Sequence, residues 1–142
     1  ANTFVPNDDS MQYAYYNHGC MYREGGGSWT EHSVELPEGA VIDYMRVYFY
    51  DADAANNALA YLAAYDGAGN TTFITSVASS GTPGQASELS APFSHTVSNG
   101  VAAVSVSLSY GNATTNALRI CGVRLRYWAP SIFATALPLV VK

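Results

Sequence analysis

The chain has 142 residues and a formal net charge of -5, with charged residues at 12% and apolar residues at 49% of the total. A chain of that length suits one domain around one core, and its acidic balance offers no electrostatic footprint for a phosphate backbone, which excludes nucleic acid as a partner class. No stretch approaches the roughly 18 to 20 unbroken apolar residues of a membrane-spanning helix, so no membrane span is expected.

Apolar residues recur with period two between Gly, Pro, Asn and Asp punctuation, the pattern of short strands. The first strands are expected over 11–16 and 20–23. A Gly-rich turn at 25–27 leads to a strand over 29–36, and Pro37, Glu38 and Gly39 reverse the chain into another over 40–50. In that segment Val41, Met45, Val47 and Phe49 are placed on one face and Ile42, Tyr44, Arg46, Tyr48 and Tyr50 on the other, both covered. The Ala-rich run 52–64 is broken by Asn56 and Asn57, so it reads as a turn and then a strand over 58–65, where Leu59, Tyr61, Ala63 and Tyr65 alternate. After the turn at 66–70 comes a strand over 71–78, while 79–90 reads as a Gly/Ser/Pro loop before a strand over 93–97.

The clearest alternation runs over 101–110, with Val104, Val106, Leu108 and Tyr110 toward the core and Ser105, Ser107 and Ser109 toward water. Near the end, Cys121, Val123, Leu125 and Tyr127 alternate with Gly122, Arg124, Arg126 and Trp128, which sends two arginines to a solvated face. A last strand is expected over 132–141. About ten short strands make an antiparallel β-sandwich of jelly-roll or Ig-like type, one domain over 1–142 with 131–142 as an extended apolar C-terminal strand.

Cys20 and Cys121 each fall in or at the start of a strand segment, and an oxidising compartment would let them pair. The chain opens at Ala1 without an initiator Met, as a mature exported protein does. A secreted, extracellular or cell-surface location is therefore expected.

Catalysis needs a nucleophile with its base, a carboxylate pair or a metal cluster, converging in space. His18, His32 and His95 are scattered, and no G-x-S-x-G, H-E-x-x-H or Walker-type loop occurs, so no catalytic residue and no cofactor are assigned. The acids sit where turn chemistry explains them. Asp51, Asp53 and Asn56 are the one weak candidate set for calcium, without the central Gly and closing Glu of an EF-hand loop. Sequons at Asn70 and Asn112 lie in expected loops, where a glycan could project.

Eleven tyrosines cannot all be buried with satisfied hydroxyls, so part of them should face a partner. Trp29, Tyr44, Tyr48, Tyr50 and Trp128 form the candidate aromatic binding surface, suited to protein or to glycan. The segment after Pro130 is apolar and uncharged until Lys142, and Ile132, Phe133, Leu137, Leu139, Val140 and Val141 would have to pair with a sheet of their own domain or of a neighbour.

A disulfide-bearing β-sandwich with such a terminal segment resembles the subunits of extracellular fibres that polymerise by donating a strand to the next subunit. The residues that carry the likeness are 132–141 and, at the other end, 3–6. The resemblance implies a structural or adhesive module whose partners are copies of itself in a filament or surface layer. The alternative is a lectin-like carbohydrate-binding module, with the tryptophans and tyrosines as a sugar platform and the Asp51 loop assisting through calcium.

Overall fold

Period-two alternation becomes strand along nearly the whole chain. A computed structural model describes residues 4–17, 19–79 and 84–130, and among them are eleven strands and no helix. The strands are β1 (Val5–Pro6), β2 (Gln12–Tyr16), β3 (Cys20–Gly25), β4 (Trp29–Val34), β5 (Val41–Asp51), β6 (Leu59–Asp66), β7 (Thr71–Ala78), β8 (Gly84–Leu89), β9 (His95–Thr96), β10 (Ala102–Ser109) and β11 (Leu118–Trp128). They form two antiparallel sheets, a five-stranded one in the order β1-β4-β10-β6-β7 and a six-stranded one in the order β2-β3-β11-β5-β8, with β9 pairing the start of β5.

The two sheets pack face to face because each hides one apolar side. Met45, Val47, Phe49, Leu118 and Ile120 come from the six-stranded sheet, and Ala60, Leu62, Val104, Val106 and Leu108 from the other. Fully burying side chains of this size stabilises by about 1.5–3 kcal/mol each. Tyr110 lies wholly inside, and burial pushes its phenol well above the usual range.

Besides one register shift each in the β2–β3 and β6–β7 ladders, two β-bulges in the β5–β11 ladder shift the alternation expected from the sequence. Arg126 pairs with Tyr44 but Tyr127 pairs with Ile42, so Asp43 is an extra residue on β5. It turns Ile42 into the core, away from the tyrosines with which simple alternation groups it. Likewise Ile120 pairs with Phe49 but Gly122 with Tyr48, which leaves Cys121 as the extra residue on β11, off the face shared by Val123 and Leu125. There Cys121 bonds to Cys20, with Cα atoms 3.9 Å apart and a sequence separation of 101.

Other expectations also need correction. Residues 84–89, read as loop, pair with β5 as β8, because β5 presents a long edge and Gln85 and Ser87 tolerate its outer face. The strand expected over 93–97 shrinks to β9, and β11 begins at Leu118, three residues before Cys121. Ser105 and Ser109 are buried although they point outward, since β10 is the middle strand of its sheet and long neighbours lean over it. Ser105 donates to the Glu31 carboxylate at 3.1 Å. The strand expected over 132–141 lies outside the described residues.

Candidate binding surfaces

On the outer face of the six-stranded sheet, Tyr44, Arg46, Tyr48 and Tyr50 alternate along β5 and meet β11 rung by rung. Arg119 lies opposite Tyr50, Gly122 opposite Tyr48, Arg124 opposite Arg46 and Arg126 opposite Tyr44. The guanidinium of Arg119 sits 3.8 Å from the centre of the Tyr50 ring and 4.0 Å from that of Tyr16 on β2, and its residue is only 9% exposed. Arg126 stacks on Tyr44 at 4.1 Å and Arg124 reaches Tyr48 at 5.4 Å. Each such contact is worth about 0.5–1 kcal/mol when exposed and about 2 or more when desolvated. Together they hold long side chains in fixed positions across a flat surface.

Four of the chain's five arginines occupy this face of an otherwise acidic molecule. Arg126 is neutralised by Asp43, which accepts Nε and Nη2 at 2.8 Å each and the Trp128 indole N–H at 3.0 Å. Among the described residues no carboxylate forms an ion pair with Arg46 or Arg124, which stand directly across from one another, an arrangement that costs stability for like charges. Arg46 donates to Ser87 Oγ at 3.1 Å. A shallow groove of about 550 Å³ runs between Tyr44, Arg46, Tyr48, Arg124 and Arg126.

The outer face of the five-stranded sheet differs in character. Trp29 and Tyr61 lie 5.4 Å apart and Tyr61 and Phe73 5.9 Å apart, giving a row across β4, β6 and β7 that ends in a Phe73 ring 71% exposed. The rings are tilted by 44° and 62°, so they form ridges and not a flat platform. No arginine or lysine lies on these strands among the described residues, and Glu31 supplies a carboxylate at the centre.

These two faces divide the aromatic set taken from the sequence. Tyr44, Tyr48, Tyr50 and Trp128 are brought together, whereas Trp29 lies on the opposite side of the sandwich because β4 joins the other sheet. Arg46, Arg119, Arg124, Arg126 and Tyr16 belong to the first face and were not marked as functional. The signal was present in Tyr-x-Arg-x-Tyr-x-Tyr over 44–50 and in Arg124-x-Arg126, which place both residue types on one pleat.

At the calcium candidate, Asp51 is buried and takes the Ser79 hydroxyl on Oδ2 and the Asp53 amide on Oδ1. Asp53 accepts the amides of Ala55 and Asn56 at 2.8 and 3.0 Å and the Asn56 side-chain amide as well. These carboxylates are thus occupied in shaping the β5–β6 turn, and no group of three or more His, Cys, Asp or Glu suited to a metal occurs among the described residues. Asn70 is exposed, but its side-chain amide donates to Asp66 at 2.8 Å, while Asn112 is exposed in the turn between β10 and β11. Ile132, Phe133, Leu137, Leu139, Val140 and Val141 lie outside the described residues. No helix long and apolar enough to cross a membrane occurs among those described.

The surface carboxylates give the molecule an acid limit. The Arg126 hydrogen bond holds Asp43 below its usual value of 3.8, and hydrogen bonds from Ser10, Ala55 and Asn70 do the same for Asp8, Asp53 and Asp66. Burial lowers His95 from 6.5. A lowered folded pKa gives stability that is complete above the unfolded pKa and is lost as pH falls through the folded one. The urea midpoint is therefore expected to slip slightly below pH 6.5 and to drop more steeply below about pH 4, with a shallower acid drop in Asp43→Asn. A midpoint that does not change between pH 4 and pH 2 would contradict this.

No known protein-family model and no curated protein matches this chain.

Proposed function

We propose that this chain is a secreted structural or adhesive module, a self-assembling subunit of an extracellular filament or surface layer, acting by surface recognition and not by catalysis. The observation that carries the reading is the face on β5 and β11, where Tyr and Arg, the residues enriched in the cores of protein interfaces, are already stacked in place. Pre-ordered side chains lose little entropy on association. The Cys20–Cys121 disulfide is compatible with export, and the apolar segment 131–142 supplies a strand for augmentation.

The full chain is expected to form concentration-dependent polymers visible by light scattering and electron microscopy, and deletion of 131–142 to abolish them. A full-length chain that remains monomeric at every concentration tested would remove the basis for this reading. A second reading, a carbohydrate-binding module, draws support from the facing Arg46 and Arg124 beside the ordered tyrosines of the same face, which favours an acidic sugar. It predicts that a monomer binds glycans on an array, with loss of binding in Arg124→Ala.

A further inference from the structure

The two edges of β11 are treated very differently. Along one edge β5 pairs from Leu118 to Trp128, whereas along the other β3 contributes a single register pair, Ile120 with Met21. Antiparallel geometry ends β3 at Cys20, beside Cys121, and among the described residues no strand pairs with the outer edge of β11 from Val123 to Trp128. Six residues at about 3.3 Å each leave roughly 20 Å of open backbone edge in a strand that is not at the margin of its sheet. Unpaired edges of this kind are templates for another strand.

The side chains around that edge are half finished as a core. Val123 and Leu125 point inward from β11, Val34 ends β4 of the facing sheet, and Leu36 and Phe4 flank its strands β4 and β1, yet all five are only partly buried where their neighbours are fully so. Val34 and Leu36 precede the turn into β5, which places them at the same pole as the C-terminal half of β11, since Trp128 pairs with Val41. A strand laid beside β11 would complete the sheet and cover this apolar wall together.

Twelve residues follow Pro130, long enough to extend roughly 40 Å. Phe133, Leu137, Leu139 and Val141 share one pleat, the pattern an inserted strand needs toward a core. Pro138 falls on the alternate set, so one strand direction turns its missing N–H to the outer edge, where proline is tolerated. Pro130, the last described residue, sits toward the β5 side of β11 and away from the open edge. The Pro130 ring lies 3.7 Å from where a Cβ on Gly39 would sit, and Gly39 donates its amide to Val97, next to β9 on the far side of β5.

We propose that the open edge of β11, from Val123 to Trp128, is the acceptor for residues 131–142 of a second copy of this chain. The proposal rests on the self-assembly reading above and names the site at which assembly occurs. It is tested on the unmodified full chain by hydrogen exchange, comparing monomers with polymers. Amides of 123–128 that do not bond to β5 are expected to exchange quickly in the monomer and to slow by at least about tenfold in the polymer. In addition, Leu125→Arg keeps its tail but spoils the acceptor, so mixing it with the unmodified chain should shorten the filaments.

Slow exchange of those amides already in the monomer would show the chain's own tail in place and overturn the exchange between copies. Polymers whose 123–128 amides stay fast would overturn the acceptor assignment alone and leave self-assembly standing. A chain that never polymerises removes both. If Leu125→Arg does not fold, the exchange measurement on the unmodified chain decides.

Discussion

Replacing both Cys20 and Cys121 by serine is expected to cost about 3–5 kcal/mol of stability, read as a lower denaturant midpoint. In the chain-entropy account a closed loop of about 100 residues is worth about 4.7 kcal/mol, and the bridge here spans 101 positions. That is a large part of the 5–15 kcal/mol typical of a folded domain. The site of the bond adds a local consequence. The ladder between β3 and β11 consists of one register pair, so the disulfide does the joining that hydrogen bonds do elsewhere in the sheet. Without it the β2–β3 hairpin is held by Met21 in the core, by Arg119 against Tyr16, and by Arg23 donating to the Ala113 carbonyl at 3.2 Å. Amides of 12–25 should therefore lose protection before those of β5 and β10. A variant within about 1 kcal/mol of the parent, with uniform exchange, would show that the bridge is not what anchors this hairpin.

Gly26→Ala is the substitution expected to do the most damage for the fewest atoms added. Gly26 has a φ of +67°, where an alanine costs about 1–2 kcal/mol. Its added Cβ would also lie 1.7 Å from the Ser10 carbonyl oxygen, a backbone atom that cannot swing aside. Forcing the two apart adds about 1–3 kcal/mol and disturbs a clasp in which Gly27 donates its amide to Ser10 Oγ at 3.0 Å and Arg23 holds the Gly26 and Gly27 carbonyls. A total loss of about 2–5 kcal/mol is expected in urea or thermal melts. Gly67→Ala makes the control, because nothing lies within 4 Å of its would-be Cβ and its φ is not positive. It should be neutral or slightly stabilising. Equal behaviour of the two variants would mean that the loop carrying Ser10 moves freely away from the turn.

Strands were readable where one face is apolar and pairing is regular. Val104, Val106 and Leu108 on β10 and Leu59, Tyr61 and Tyr65 on β6 fall as alternation places them. The bulges at Asp43 and Cys121 escaped because an extra residue leaves no compositional mark and appears only when two strands are paired. For the same reason Trp29 and Trp128 could not be assigned to opposite faces, which depends on strand order. The second covered face of β5 was legible, but its cover was not. It consists of the arginines of β11, 69 or more positions away in the chain, Arg119 and Tyr50 being the nearest pair. Residues 84–89 carry too few β-branched or aromatic side chains to announce a strand, and the edge of β5 recruits them.

β11 is both the strand from which the chain passes to Pro130 and the one laced to β5 from Leu118 to Trp128. Its hydrogen bonds run across the strand direction, so tension drawn along its axis through the C-terminal end stresses those rungs in parallel, sideways, instead of peeling them one by one. Such a load meets its mechanical resistance within a single ribbon and reaches the Cys20–Cys121 link at the far side of that ribbon. The covalent tie stands where the shearing force would otherwise strip away the next hairpin.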